Sequence, residues 1–236
     1  MRFSFEDQQK LIEIMITPAL STLSAAEVVL QYPNALQVFN KFHIDYCCGG
    51  HVSFQEACDQ AGVDFETVWN EIASSKASTN MHHFDQWSPS LLVDYIVDQH
   101  HAYVRNSIPE LQALLARIVD VHGRHHPELL DIQQSFSALS EELMQHMLKE
   151  EHILFPAIKS GAIARMPLQG PIAVMMEEHQ IAGNLIKEIR DKSCNYTLPD
   201  DVCTTYRLTL QKLEAFDNDL MQHIHLENNI LFRKVN

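Results

Sequence analysis

One segment of this chain is written twice. Residues 143–155 read LMQHMLKEEHILF and residues 220–232 read LMQHIHLENNILF, agreeing in register at Leu, Met, Gln, His, Glu, Ile, Leu and Phe. A fainter echo pairs Gln99-His100-His101 with Glu177-Glu178-His179. Whatever packing one copy finds, the other must find too, which predicts two related αα-hairpins packed about a pseudo-two-fold axis as a four-helix bundle.

Each copy sets a histidine four residues before a glutamate: His146 with Glu150, and His223 with Glu227. At that spacing the two side chains stack on one helix face. A single such pair is usually a solvated surface contact. Here both copies sit in matching apolar frames, Leu143, Met147 and Leu154 around one and Leu220, Ile224 and Leu231 around the other. The repeated pairs therefore face the core, where two unpaired carboxylates would be very costly to bury. A divalent metal removes that cost. His179 and one histidine of the first long helix would complete four imidazoles and two carboxylates, enough for two metal ions with the glutamates bridging. Mixed imidazole and carboxylate donors suit iron, with manganese as the alternative, better than calcium, magnesium or a structural zinc. The spacing differs from the Glu-x-x-His of ferritin-like di-iron proteins.

For the fourth imidazole two candidates stand. Val97, Val104 and Ile108 make an apolar stripe that His101 continues, and His100 is nearly as well placed; the echo with His179 favours His101. Glu142 and Asp219 each precede a repeated histidine by four residues and could accept its second N–H, and Glu178 beside His179 could relay protons or iron; the alternative for all three is surface solvation. His122, His125, His126, His152 and His225 read as surface or outer-sphere residues.

Helix signals recur along the chain, while alternating β-branched runs and Asn-Gly turns are missing, so the fold is predicted to be all α. Ser24 with Glu27 and Ser53 with Glu56 have capping-box spacing and open short helices. The polar run SSKASTN at residues 74–80 reads as a linker, giving a small helical domain at 1–80 and the bundle at 81–236. Ser88-Pro89 opens the first long helix, with Pro109 as a candidate kink; Pro127 opens the second, which Pro156 and Gly161 end. Pro171 opens the third, reaching about Lys192, and Pro199-Asp200 introduce the fourth. Residues 1–17 are amphipathic enough for a helix of unassigned role.

A formal charge of -14 argues against tracking phosphates, so nucleic acid is not an expected partner. No apolar run approaches the roughly 18 residues that a membrane span needs. Five cysteines, two of them adjacent, do not resemble a secreted disulfide framework, and the expected compartment is the reducing cytoplasm. The adjacent pair, Cys47-Cys48, is poorly placed to form a disulfide with itself. Followed by Gly49-Gly50, it suits soft-metal contact, nitrosation or redox exchange; two ordinary buried thiols in a turn are the alternative. Cys58, Cys194 and Cys203 read as ordinary core or surface residues.

These residues resemble a known family, the iron-sulfur cluster repair or repair of iron centres proteins, in which a small N-terminal domain precedes a hemerythrin-like bundle. The resemblance runs from about Ser24 to Arg233 and rests on IDYCCGG at 44–50, HMLKEEHILFP at 146–156, EEHQIAG at 178–183 with its preceding glutamate, and HIHLENNILF at 223–232. It implies an antiparallel hemerythrin-like four-helix bundle whose ligands fall on His101, His146, Glu150, His179, His223 and Glu227, settling His101 over His100. It further implies two non-haem iron ions with an oxygen bridge, and a stress-response role in restoring iron-sulfur clusters damaged by nitric oxide or oxidants. Damaged iron-sulfur proteins would be the partners, with iron donation as one route and Cys47 and Cys48 as transfer or redox thiols; a homodimer stays open. Catalysis on nitric oxide or peroxide, and a hemerythrin-like oxygen carrier or sensor, are the alternatives, so enzyme status is left open. Arg233 stands where a proline commonly follows the last Ile-Leu-Phe.

Overall fold

The computed structural model describes residues 20–75, 82–161, 168–200 and 202–235. The described residues form two compact units, Met1–Asp85 and Gln86–Asn236. The 1–17 segment and most of the expected linker lie outside the described residues.

The first unit contains α1 (Ala25–Gln31), α2 (Ala35–Phe42), α3 (Phe54–Ala61) and α4 (Phe65–Ser74). Ser24 closes the capping box: its hydroxyl accepts from Glu27 N at 3.2 Å, and Glu27 Oε2 accepts from Ser24 N at 2.8 Å. Ser53 and Asp64 cap α3 and α4 in the same way, accepting from Glu56 N and Thr67 N. The two serine caps are joined by an antiparallel bridge, with Phe54 N donating to Leu23 O at 2.7 Å and Ala25 N to Val52 O at 3.0 Å. These bonds tie the starts of α1 and α3 together and hold the cysteine turn between them. Behind them the rings of Phe39, Phe54 and Phe65 pack at 5.3 and 4.7 Å, forming a small aromatic core.

The second unit is an antiparallel bundle of four long helices. α5 runs through Pro89–Tyr95, a π-helical stretch Ile96–His101, and Ala102–His122. α6 runs through Glu128–Lys149, a π-helical stretch Glu150–Leu154, and Phe155–Lys159. α7 is Gln169–Lys192, and α8 runs through Thr204–His225, a π-helical stretch Leu226–Leu231, and Phe232–Val235. The helices pack in a ring, α5 on α6, α6 on α7, α7 on α8, and α8 back on α5.

The proline signals hold in part. Ser88 caps α5 with Pro89 behind it, and α5 continues through Pro109. Pro156 does not end α6. It lies where the π-helical stretch returns to α geometry, an interruption of the hydrogen-bond ladder at which a missing N–H costs little, and α6 stops at Ser160 with Gly161 at φ +64°. α8 begins later than Pro199, with Cys203 at its N-cap.

The register of α7 against α8 is fixed by a buried polar knot at their connection. Arg190 grips Asp217 with two bonds of 2.9 and 2.7 Å, and Tyr196 Oη donates to Asp217 Oδ2 at 2.9 Å. This anchors three consecutive left-handed residues, Cys194, Asn195 and Tyr196, a conformation costing about 1–2 kcal/mol per non-glycine residue. The knot thereby sets the height at which His179 on α7 meets Glu227 on α8.

Candidate metal centre

Three of the four bundle helices change to π geometry where they present a polar group to the core: α5 at His101, α6 at Glu150 and α8 at Glu227. A π turn carries an extra residue per turn and is frequent at functional sites. Inside the bundle, His101, Glu150, His223 and Glu227 form one cluster, and His146, Glu150, His179 and Glu227 form another. Within each cluster the ligand-type atoms all lie within 4.8 Å of one another, and every residue is buried. The clusters share Glu150 and Glu227, the arrangement of a binuclear cation site.

The contacts between these groups are close. Glu150 Oε2 lies 3.3 Å from Nε2 of both His101 and His146. Glu227 Oε2 lies 3.0 Å from His179 Nε2, and its Oε1 lies 3.1 Å from His223 Nε2. His146 Nε2 and His179 Nε2 face each other at 2.9 Å. Neither oxygen of Glu150, nor Oε2 of Glu227, nor Nε2 of His101 has a hydrogen-bond partner, and all are buried.

Outside this core, three imidazoles spend their second nitrogen on a neighbouring helix. His101 Nδ1 meets Glu151 Oε1 at 2.6 Å, His146 Nδ1 meets Glu178 Oε2 at 2.9 Å, and His179 Nδ1 meets Asn228 Oδ1 at 2.8 Å. Arg105 and Lys149 in turn hold Glu151 and Glu178. If each Nδ1 carries the proton, each Nε2 lone pair points inward, the orientation that outer carboxylates and amides impose on metal-binding histidines. His146 and His179 then aim two lone pairs at each other, which a metal ion or a proton between them makes favourable.

Electrostatics agree. Burial works against charge on His101 and His146, yet Glu150 and Glu227 raise them to about 10 and about 9 respectively. Burial likewise opposes ionisation of Glu150 and Glu227, but the surrounding imidazoles hold Glu150 below and Glu227 well below the usual carboxylate range. His223, where burial dominates, is lowered. Two ionised carboxylates thus sit in the core with imidazoles as their recorded ion partners, drawing in positive charge.

Residues 92–235 match the family model described as "Hemerythrin HHE cation binding domain", and residues 23–76 match "Domain of Unknown function (DUF542)", ScdA_N. A probable iron-sulfur cluster repair protein of Haemophilus influenzae is 34% identical over 213 residues, 89% of this chain and 95% of its own. The iron-sulfur cluster repair protein YtfE of Edwardsiella ictaluri is 34% identical over 87% of this chain and 93% of its own. That of Yersinia pseudotuberculosis is 33% identical over 89% and 94%. The chain belongs to the iron-sulfur cluster repair family.

The six residues that the family resemblance singled out all converge in the two clusters. His100 is also buried, but its Nδ1 goes to Asp219 Oδ1 at 2.9 Å, and its ring stacks on His223 at 5.5 Å. Of the three outer-sphere candidates, Glu178 reaches a cluster imidazole, Asp219 reaches His100 instead of His223, and Glu142 is exposed. Sequence reasoning missed Glu151 and Asn228. Each directly follows a cluster glutamate, and that adjacency to the π turns was the available signal. It also read His225 as outer or exposed, whereas His225 is buried and meets Asn229 at 3.3 Å.

In the first unit, Asp45 organises the cysteine turn, accepting from Cys47 N and from Gly49 N, both at 2.9 Å. Gly50 is required there, because a Cβ would lie 2.4 Å from Tyr46 O. Cys47 is buried and Cys48 half-buried. Burial, reinforced by Cys48 and Asp45, pushes the Cys47 thiol well above its usual value. Among the described residues, no helix is long and apolar enough to cross a membrane.

Proposed function

We propose that the bundle holds two iron ions, one bound by His101 and His223 and the other by His146 and His179, with Glu150 and Glu227 shared between them. The convergence of His146 Nε2 and His179 Nε2 at 2.9 Å beside two ionised carboxylates is the observation that carries this reading. The residues fit the group: nitrogen and carboxylate donors without thiolate suit iron, and the unpartnered atoms of Glu150 and Glu227 supply the positions that a cation would fill. Iron at such a site supplies Lewis-acid and one-electron chemistry. The chain's own contribution is to keep the Nε2 atoms of His101, His146 and His179 turned inward through Glu151, Glu178 and Asn228, and to surround the clusters with apolar side chains.

The chain, in this reading, restores iron-sulfur clusters damaged by nitric oxide or oxidants in the cytoplasm, giving up iron to the damaged protein as its substrate. The names of its relatives support the repair role. Glu178 supports the donation route, because it ties His146 to Lys149, whose side chain is 45% exposed, and so connects one cluster to the surface.

The test uses the full chain loaded with iron and a client protein whose cluster has been degraded by nitric oxide. Client activity should recover while the iron-loaded chain loses iron in matching amount, and the apo-chain should restore nothing. Recovery without iron loss, repeated over many turnovers with an electron donor, would replace donation by redox catalysis.

A further inference from the structure

Three of the four cluster imidazoles have an Nδ1 partner on a neighbouring helix; His223 Nδ1 has none and is buried. The surroundings of His223 are nevertheless polar. His100 lies parallel to it, the rings 5.5 Å apart and inclined by 8°, and Asp219 sits one turn before it on α8. Asp219 Oδ1 accepts from His100 Nδ1 at 2.9 Å, while Asp219 Oδ2 and His100 Nε2 are buried without a hydrogen-bond partner. Three unpartnered polar atoms therefore surround one stacked pair of rings. A buried polar group left unmade costs about 1–3 kcal/mol, and a group of this kind is usually completed by a buried water making two to four bonds.

We propose that His100 and Asp219 form a cradle behind His223 that holds a water molecule, which accepts from His223 Nδ1–H and donates to Asp219 Oδ2. The proposal rests on the binuclear reading above and adds two positioning residues to it. Asp219 is committed to His100 through one oxygen, so it acts on His223 through the other, across the water. The bonded water holds the proton on Nδ1, leaving the Nε2 lone pair towards Glu227 Oε1, 3.1 Å away. His100 fixes the ring plane by stacking and fixes Asp219 by its hydrogen bond. This explains why two adjacent histidines on α5 are both buried: His101 enters the cluster, and His100 supports a cluster histidine on α8.

Only the cluster containing His223 depends on this cradle, so its loss should act on one of the two metal ions. The measurement is chelator-driven iron release from the fully loaded chain, with Mössbauer spectra recorded as release proceeds. Asp219→Leu should release one iron about 10- to 100-fold faster, the usual scale of outer-sphere effects on metal affinity, while the other leaves at the wild-type rate. Asp219→Asn keeps one acceptor oxygen for His100 and turns Nδ2–H towards the water, which can accept from it as well as from His223 Nδ1–H, so release should stay within a few-fold of wild type. His100→Phe, which keeps the stacked ring but loses its bond to Asp219, should fall between them and serves alone if Asp219→Leu does not fold. Unchanged release of both irons, or equal acceleration of both, would overturn the cradle. A wild-type chain that never holds two irons would instead overturn the binuclear reading. A crystal of the loaded chain should show the water bonded to His223 Nδ1; a direct Asp219–His223 bond in its place would overturn the proposal.

Discussion

The metal end of the bundle and the cysteine turn of the first unit both gather residues with metal-binding side chains, but they treat them oppositely. In the bundle, buried carboxylate and imidazole atoms are left without hydrogen-bond partners, and two ring nitrogens converge at 2.9 Å. At the cysteine turn, Asp45 satisfies the backbone, Gly50 N donates to Cys47 O at 3.4 Å, and burial keeps the Cys47 thiol protonated. The bundle core is incomplete without a cation; the turn is complete without one. Residue type alone therefore does not mark a resident metal site. What marks it is polarity that the protein buries and does not itself satisfy.

The sharpest way to break this comparison is to remove the shared carboxylates. Glu150→Ala together with Glu227→Ala deletes a donor from both clusters, so the chain should lose essentially all bound iron, an effect larger than the 10–100-fold weakening typical of outer-sphere changes. The same variant should leave the first unit intact, because that unit has its own core around Phe39, Phe54 and Phe65. Metal analysis after gel filtration, with circular dichroism as the check on folding, measures both. A double variant that still binds two irons with a normal di-iron spectrum would show that the carboxylates are not the bridge.

The ligand pattern was legible in the sequence because it is written into a repeat: His146, Glu150, His223 and Glu227 follow from its two copies, and the echo with His179 favours His101 over His100. What surrounds them was less legible, for a physical reason. Face assignments by 100° per residue hold in a regular α-helix, whereas the π turns at 96–101, 150–154 and 226–231 add a residue and rotate everything after them. Glu151 and Asn228 consequently point at imidazoles on other helices, and His100, inside the π turn of α5, reaches Asp219. The fold was legible at its caps, Ser24, Ser53 and Ser88, because capping is local. Pro156 misled because its usual meaning, a helix end, is suspended where the ladder is already interrupted.

A second prediction concerns the thiols themselves. Cys203, read from sequence as ordinary, caps α8 in an exposed position with His122 Nε2 at 3.1 Å, and hydrogen bonds from the Tyr206 backbone and from His122 lower it to about 7. Cys47 moves the other way. Since the thiolate is the nucleophile, the folded chain at pH 7 should be alkylated at Cys203 roughly 100-fold faster than at Cys47, read by mass spectrometry of labelled peptides over time. The sign follows from the depressed value: labelling of Cys203 should be nearly constant above about pH 8 and fall about tenfold per unit below about pH 6. Equal rates at the two thiols would mean that the turn opens readily in solution, and the contrast between a self-satisfied turn and an unsatisfied bundle core would fail.

The smallest expected effect bears on whether the turn contributes to repair at all. Changing Cys47 and Cys48 together to alanine should leave iron content and the di-iron spectrum unchanged, because neither thiol belongs to the bundle clusters. Repair should fall by a few-fold if a thiolate, a softer ligand than imidazole or carboxylate, receives iron or a nitrosyl group on its way to the client. The structure divides the pair. Cys47 is buried, so Cys47→Ala alone removes a buried side chain and should lower thermal stability slightly. Cys48 is half-buried and reaches solvent, so Cys48→Ala should carry most of the loss in repair with little change in stability. Cluster restoration in a damaged client, measured at matched iron loading, separates the two. If Cys47→Ala reduces repair in proportion to its loss of stability while Cys48→Ala has no effect, the pair is structural and the bundle acts without it. If Cys48→Ala reduces repair at unchanged stability, the turn takes part in transfer through its half-buried thiol, the one of the pair with access to solvent.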